Sequence, residues 1–316
     1  MENMKQARRD VGTFSGLCLL YGMVMLLVSG FWGMVVTLYQ ALQHPGRAEE
    51  IAYETYEFLQ TDGTHYLISV GFGVLIFYLY RNGKLFKSDL RTNKKMTAAW
   101  FFRFLPFLFF AQFAFFGVNF IFESILNLFG WTMAPAVEQA SGQSESWTMF
   151  LYASILGPIS EELIFRGAGL RTFETNGKMF AIVMSSMLFG VFHGNLSQFF
   201  FAAGVGLLFA YVTIEYSIYW AMLLHIINNL VISDGISRLS MVMPGEIVES
   251  VYLGLLGIGS ILSILLLIRY RFAIKQYVKD HRPPKGIYQQ VFRSPLLWIF
   301  ILLLVYLSLG TLAPLG

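Results

Sequence analysis

Nine apolar runs, near 14–38, 64–82, 99–122, 148–166, 179–194, 197–214, 217–233, 248–268 and 296–313, are joined by polar connections, and that pattern leaves few folds open. A helix needs about 20 apolar residues to cross a hydrocarbon core, where only helices and closed barrels satisfy every backbone group. The chain is 56% hydrophobic and 13% charged, with a mean hydropathy of +0.60. Soluble domains carry about 25% charged residues. The sequence therefore predicts an all-α polytopic membrane protein of about nine transmembrane helices. Spans four to seven, of which five to seven are joined by the short turns Gly194-Asn195 and Glu215-Tyr216, are expected to form a central helical core around an intramembrane polar cavity. Lys5, Arg8 and Arg9 precede an apolar run from about Val11 to Leu42. That run outlasts a signal-peptide core of about 7–15 residues and lacks a small-residue cleavage site, so it is read as a retained helix. Cys18 is the single cysteine, so no internal disulfide is expected.

Charge placement orients the spans. Arg81, Lys84, Lys87, Arg91, Lys94 and Lys95 crowd one loop, and Arg269, Arg271, Lys275, Lys279, Arg282, Lys285 and Arg293 another. Arg166, Arg171 and Lys178 mark a third. The opposite loops hold Glu49, Glu50, Glu54, Glu57, Asp62, Glu138 and Glu145. The positive-inside rule puts the amino terminus in the cytoplasm and the carboxyl terminus outside. Short loops favour a bacterial plasma membrane, with an endoplasmic-reticulum relative as the alternative. This placement matters more than the net charge of +3, and no nucleic-acid partner is expected. Residues 44–62 read as a surface helix, with Ala52, Tyr56 and Leu59 at helical spacing; it is either an interfacial amphipathic helix or a loop helix without function. Arg103 is expected to snorkel to the inner interface and Pro106 to kink its helix.

Inside the fourth run stands Gly-Pro-Ile-Ser-Glu-Glu-Leu-Ile-Phe-Arg-Gly, residues 157–167. Charge in hydrocarbon costs roughly 2.5–3.5 kcal/mol per residue on insertion scales, so such groups usually serve a purpose. Neighbouring residues on a helix point about 100° apart, so Glu161 and Glu162 cannot share one target. Glu162 lies four residues before Arg166, the favourable ion-pair order. Glu161 keeps no local partner and is free to face a cavity, where a carboxylate can serve as a general base near neutral pH. Two histidines fall within later spans. His193 follows Phe189 by one turn, and His225 precedes Asn229 by one turn, which puts each pair on one helix face. One acid, two histidines and an amide suffice for a hydrolytic site: Glu161 deprotonating water, a histidine orienting it, His225 and Asn229 donating to an oxyanion. Each also has a structural reading, as an ion pair, a protonated buried carboxyl, or interhelical hydrogen bonds. Glu161, His193 and His225 are also a possible His₂Glu zinc set.

Taken in order, Glu161-Glu162-x-x-x-Arg166, Phe189-x-x-x-His193 and His225-x-x-x-Asn229 resemble the CPBP family, the CAAX proteases and bacteriocin-processing enzymes also called Abi proteins. The resemblance implies an intramembrane endopeptidase acting on a membrane-associated protein or peptide, by CAAX-type or leader-type processing. It implies Glu161 as the water-activating base assisted by His193, His225 and Asn229 as oxyanion donors, Glu162, Arg166 and Phe189 in support, and no catalytic metal, with zinc as the minority reading. The chain then divides into helices 1–3 at residues 1–146, a CPBP-like core at 147–235 and two further helices at 236–316. Oligomeric state and substrate prenylation stay open.

Other intramembrane protease chemistries fit poorly. No His-Glu-x-x-His motif, Gly-x-Ser-Gly motif or pair of mid-span aspartates occurs. The competing functions are a non-proteolytic scaffold, regulator or immunity protein that keeps the motifs, and a transporter, which should show an inverted repeat. Depth adds a constraint. At 1.5 Å rise per residue, a fourth helix starting at Trp147 would leave Glu161 and His193 roughly 10 Å apart in height. The helix is therefore expected to begin nearer Tyr152. The catalytic reading also requires Glu161 within about 8 Å of a site histidine.

Overall fold

The computed structural model describes residues 2–141 and 146–315; Glu145, one of the acidic loop residues, lies outside them. In chain order the helices are α1 (Glu2–Gln43), α2 (Ala48–Thr61), α3 (Thr64–Tyr80), α4 (Ala98–Asn127), α5 (Ala134–Ser141), α6 (Trp147–Asn176) and α7 (Lys178–Phe192). They continue with α8 (Leu196–Glu215), then α9, which starts as Ile218–Ile226, widens to a π-helix at Ile227–Asp234 and closes as Gly235–Val242. The last are α10 (Gly245–Asp280), α11 (Ile287–Val291) and α12 (Pro295–Gly310). A two-residue antiparallel pairing of β1 (Trp131–Thr132) with β2 (Ala313–Pro314) ties the chain after α12 to the loop after α4.

The protein is a multi-pass, all-α membrane protein, with a helix at each of the nine apolar runs. By length and apolarity, though, the described residues supply five crossing helices, α1, α4, α6, α8 and α10. A sixth forms if Glu50–Thr61 and Thr64–Tyr80, bent by 56°, count as one span. Helices α7 and α12 are apolar but shorter. The expected span five stops early because Gly194 takes a left-handed turn, φ +64°, before Asn195 caps α8 through the Ser197 N–H.

Two polar ties hold α6 in place. At one end, Asp62 accepts from Trp32 Nε1 (3.0 Å) and Thr148 Oγ1 (2.9 Å), while Ser146 caps the first turn through the Met149 N–H (3.0 Å) and donates to Thr61 O (2.6 Å). So α6 starts at Trp147 rather than near Tyr152. The cap explains it: Ser146 accepts from the Met149 N–H, a first-turn amide with no intrahelical acceptor. At the other end, the basic loop after α3 is neutralised by the core. Arg81 grips Asp89 with two nitrogens (2.7 and 2.8 Å) and reaches Thr172 Oγ1 at 3.1 Å. Glu215 binds Lys94 (2.6 Å), Lys178 (2.8 Å) and Tyr277 Oη (2.9 Å). Between the ties, Phe14 of α1 packs on Phe77, Phe165 and Phe173 at ring distances of 5.1, 5.7 and 5.4 Å.

The surface helix at 44–62 is present as α2. Ala52 and Tyr56 are exposed, whereas Ile51 and Thr55 are buried. Thr55 accepts from Thr37 and donates to Gln40 of α1, and Leu59 reaches Gly33, so packing on α1 decides the face. Helix α4 runs through Pro106 unbroken, and the Arg103 guanidinium lies over the Trp100 ring, 4.8 Å from its centroid.

Close approach at the α2–α3 junction makes a test. A Cβ on Gly63 would lie 2.4 Å from Met149 N and 2.5 Å from its Cα, backbone atoms that cannot rotate away. Gly71 on the same helix has open space around it. Gly63→Ala is expected to cost about 1–3 kcal/mol, read as a lower unfolding midpoint in detergent, with Gly71→Ala near wild type.

Candidate active site

Glu161 and Glu162 lie on α6, in the short α-helical stretch Gly157–Glu162 between two π-helical segments, Tyr152–Leu156 and Leu163–Gly169. A third π segment, Ile227–Asp234, begins two residues after His225. Such wide turns are rare and often mark functional sites, because they re-aim side chains and release backbone groups. The first one has a visible chemical cause. Gly157 N–H donates to Tyr152 O, five residues back, so Ala153 O loses its α-helical donor. The next possible donor would be residue 158, and Pro158 has no N–H. Asn229 Nδ2 fills the vacancy, donating to Ala153 O at 2.9 Å. The uniform rise behind the depth expectation therefore does not hold along α6.

Glu162 and Arg166 are fully buried and paired, Nε to Oε2 at 3.2 Å. The contact is an ion pair without a well-aligned hydrogen bond, since neither atom meets hydrogen-bond geometry. Arg166 is further held by its Nη2, which donates to Gly206 O at 3.3 Å, and by the faces of Phe189 and Phe209, 4.3 and 5.6 Å from its carbon to the ring centroids. Phe189 thus serves as a cation platform, worth upwards of about 2 kcal/mol where water is excluded. The pairing expected from the sequence stands, and the acid has a second partner that helical spacing could not reveal. His225 Nδ1 lies 3.0 Å from Glu162 Oε1. A carboxylate can only accept, so Nδ1 carries the proton. His225 Nε2 is left facing Glu161, 3.7 Å from its Oε2. Phe209 stacks on this imidazole at 4.9 Å.

Glu161 differs from its neighbour in access. Its side chain is 21% exposed, while Glu162 is sealed. Tyr21 and Tyr152 lie within electrostatic reach of it. His193 is the cap residue of α7, partly exposed, with Nδ1 2.8 Å from Phe189 O. A carbonyl only accepts, so this contact also puts the proton on Nδ1 and leaves Nε2 as an acceptor. Both histidine rings pack edge-on to Phe189, at 4.8 and 5.8 Å. These contacts link Glu161, Glu162, Arg166, Phe189, His193 and His225 across α6, α7 and α9, and Asn229 meets α6 at Ala153 O. Two more polar residues join them: Asn228, buried, donates to Asn229 Oδ1 (3.0 Å), and Gln112 of α4 donates to Asn228 Oδ1 (3.4 Å). Neither belongs to a motif, and Gln112 sits in a different stretch of sequence, so pattern alone could not find it. Among the described residues, no three His, Cys, Asp or Glu side chains are arranged to hold a metal ion.

Residues 143–231 match the family described as Type II CAAX prenyl endopeptidase Rce1-like. The matched segment carries every residue of the three motifs. No curated protein and no solved structure gives a significant match to the chain.

The two acids should respond differently to neutralisation. Glu162→Gln removes the carboxylate paired with sealed Arg166, and breaking one half of a buried pair costs about 3–5 kcal/mol. Glu161→Gln touches a partly exposed group and should stay within about 0.5 kcal/mol of wild type. Unfolding midpoints of the two purified variants give the comparison.

Proposed function

We propose that the protein, whose residues 143–231 match the Rce1-like CAAX prenyl endopeptidase family, is an intramembrane endopeptidase that hydrolyses a peptide bond of a membrane-associated protein or peptide. The observation carrying this reading is His225 set between two carboxylates, one sealed and charge-paired at Nδ1, the other accessible at Nε2. Glu161 takes a proton from a water bound beside it. His193, with Nδ1 engaged, offers Nε2 as the acceptor that orients this water. Hydroxide attacks the scissile carbonyl carbon and the charge moves to oxygen. A His225 imidazolium, held by Glu162, donates its Nε2–H to that oxyanion, and the second N–H of Asn229 adds another donor. Glu161 then returns its proton to the leaving nitrogen as the C–N bond breaks, so one water is consumed and one acid and one amine are released. Preorganised donors of this kind are worth on the order of 10²–10³ in rate each.

No step passes through a metal. In the same reading the protein lies in a cell membrane with its amino terminus in the cytoplasm and its carboxyl terminus outside. The ties at the two ends of α6 support that orientation, with basic loops gathered at Glu174 and Glu215 and the acidic α2 at the opposite end.

Two measurements test the proposal. The membrane peptidome of wild-type cells should contain cleavage products missing from Glu161→Gln cells, a loss of at least about 10²-fold, the scale of general-base catalysis. A scaffold would keep its cellular function in that variant. Proteolysis by purified protein should also withstand zinc chelators; a loss restored by added Zn²⁺ would move Glu161 and the histidines into a ligand role.

A further inference from the structure

Outside the helices that carry the motifs, α4 contributes one polar side chain to the site, and it does so through a chain of amides. Gln112 Nε2 donates to Asn228 Oδ1 at 3.4 Å, Asn228 Nδ2 donates to Asn229 Oδ1 at 3.0 Å, and Asn229 Nδ2 donates to Ala153 O at 2.9 Å. A carboxamide has two ends of nearly equal shape, so packing hardly distinguishes them and hydrogen bonds do. Here the choice is enforced from both sides. Exchanging the O and N of Asn229 would set its NH₂ against the NH₂ of Asn228 and its oxygen against the Ala153 carbonyl. Both contacts would be repulsive, and the Ala153 carbonyl, already without a helical donor because residue 158 is proline, would be stranded. Asn228 is 3% exposed, so water cannot readily replace the partner it supplies.

We propose that Asn228 and Gln112 are positioning residues: they lock the Asn229 carboxamide with its oxygen turned away and its second N–H available to the reaction centre. The assignment rests on the endopeptidase reading for its catalytic consequence, but not for the lock itself. One N–H of Asn229 ties α9 to α6 and the other remains for an oxyanion, so a single side chain joins structure to chemistry. The lock also makes α4 part of the site, although this helix lies outside the matched residues 143–231.

Asn228→Asp is the discriminating variant, because it exchanges the donor facing Asn229 Oδ1 for an acceptor with almost no change in volume. It should lower kcat on the order of 10²-fold, as for a lost oxyanion donor, with KM little changed. Gln112→Leu should lower kcat in the same direction by less. In an Asn229→Ala background, Asn228→Asp should add nothing; a further fall of tenfold or more there would overturn the proposal. A second readout needs no activity: in ¹⁵N-asparagine-labelled protein in detergent, the side-chain NH₂ resonances assigned to Asn229 should shift in Asn228→Asp and keep their position in Asn195→Asp. Unmoved Asn229 resonances would overturn the lock. If they move while wild-type protein cleaves nothing, the lock stands and the endopeptidase reading fails.

Discussion

A guanidinium sealed from water must be compensated by its neighbours, and the centre of this protein is organised around that demand at Arg166. Continuum reasoning makes a buried ion pair a poor source of stability, since desolvating two charges offsets most of their attraction. The arrangement here fits that view. The 3.2 Å contact with Glu162 is imperfectly aligned, and two phenylalanine faces and one carbonyl complete the surroundings. What the pair supplies is definition. With Oε2 turned to Arg166, Oε1 of the same carboxylate is left for His225, and that fixes which imidazole nitrogen looks toward Glu161.

Two adjacent glutamates thereby acquire unlike characters from one turn of helix. Glu162 sits among charge partners and rings, whereas Glu161 keeps some access and lies 3.7 Å from His225 Nε2. The sequence expectation that the two could not share a target does not hold: both meet His225 of α9, Glu162 at Nδ1 and Glu161 at Nε2, because one imidazole presents two nitrogens to acids set about 100° apart on α6. Polar ties at both ends of α6 matter for the same reason. Reacting groups must be held to within a fraction of an ångström, and a helix anchored only by apolar contacts with lipid could slide.

Much of this was legible in the residues. Apolar runs of about span length marked where helices would lie, because hydrophobic length is set by the bilayer. The Glu162–Arg166 pair followed from spacing within one helix, and the Phe189–His193 contact from the same rule. What escaped was tertiary. The Glu162–His225 bond joins residues 63 apart, and the face of α2 that packs on α1, with Ile51 and Thr55 buried, is set by Thr37 and Gln40 of that other helix. The start of α6 was misplaced because its Ser146 cap bonds to Thr61, 85 residues earlier. Gln112 had no local signal at all.

The proline at 158 deserves a longer view. By lacking a hydrogen it leaves a carbonyl on α6 that a residue on α9 satisfies, so a change at position 158 alters the duties of position 229, 71 places further along the chain. Lineages that replace the imino acid regain an intrahelical bond and release the asparagine from its tether. Drift at these two sites should then be linked, written into descendants as paired rather than independent substitutions.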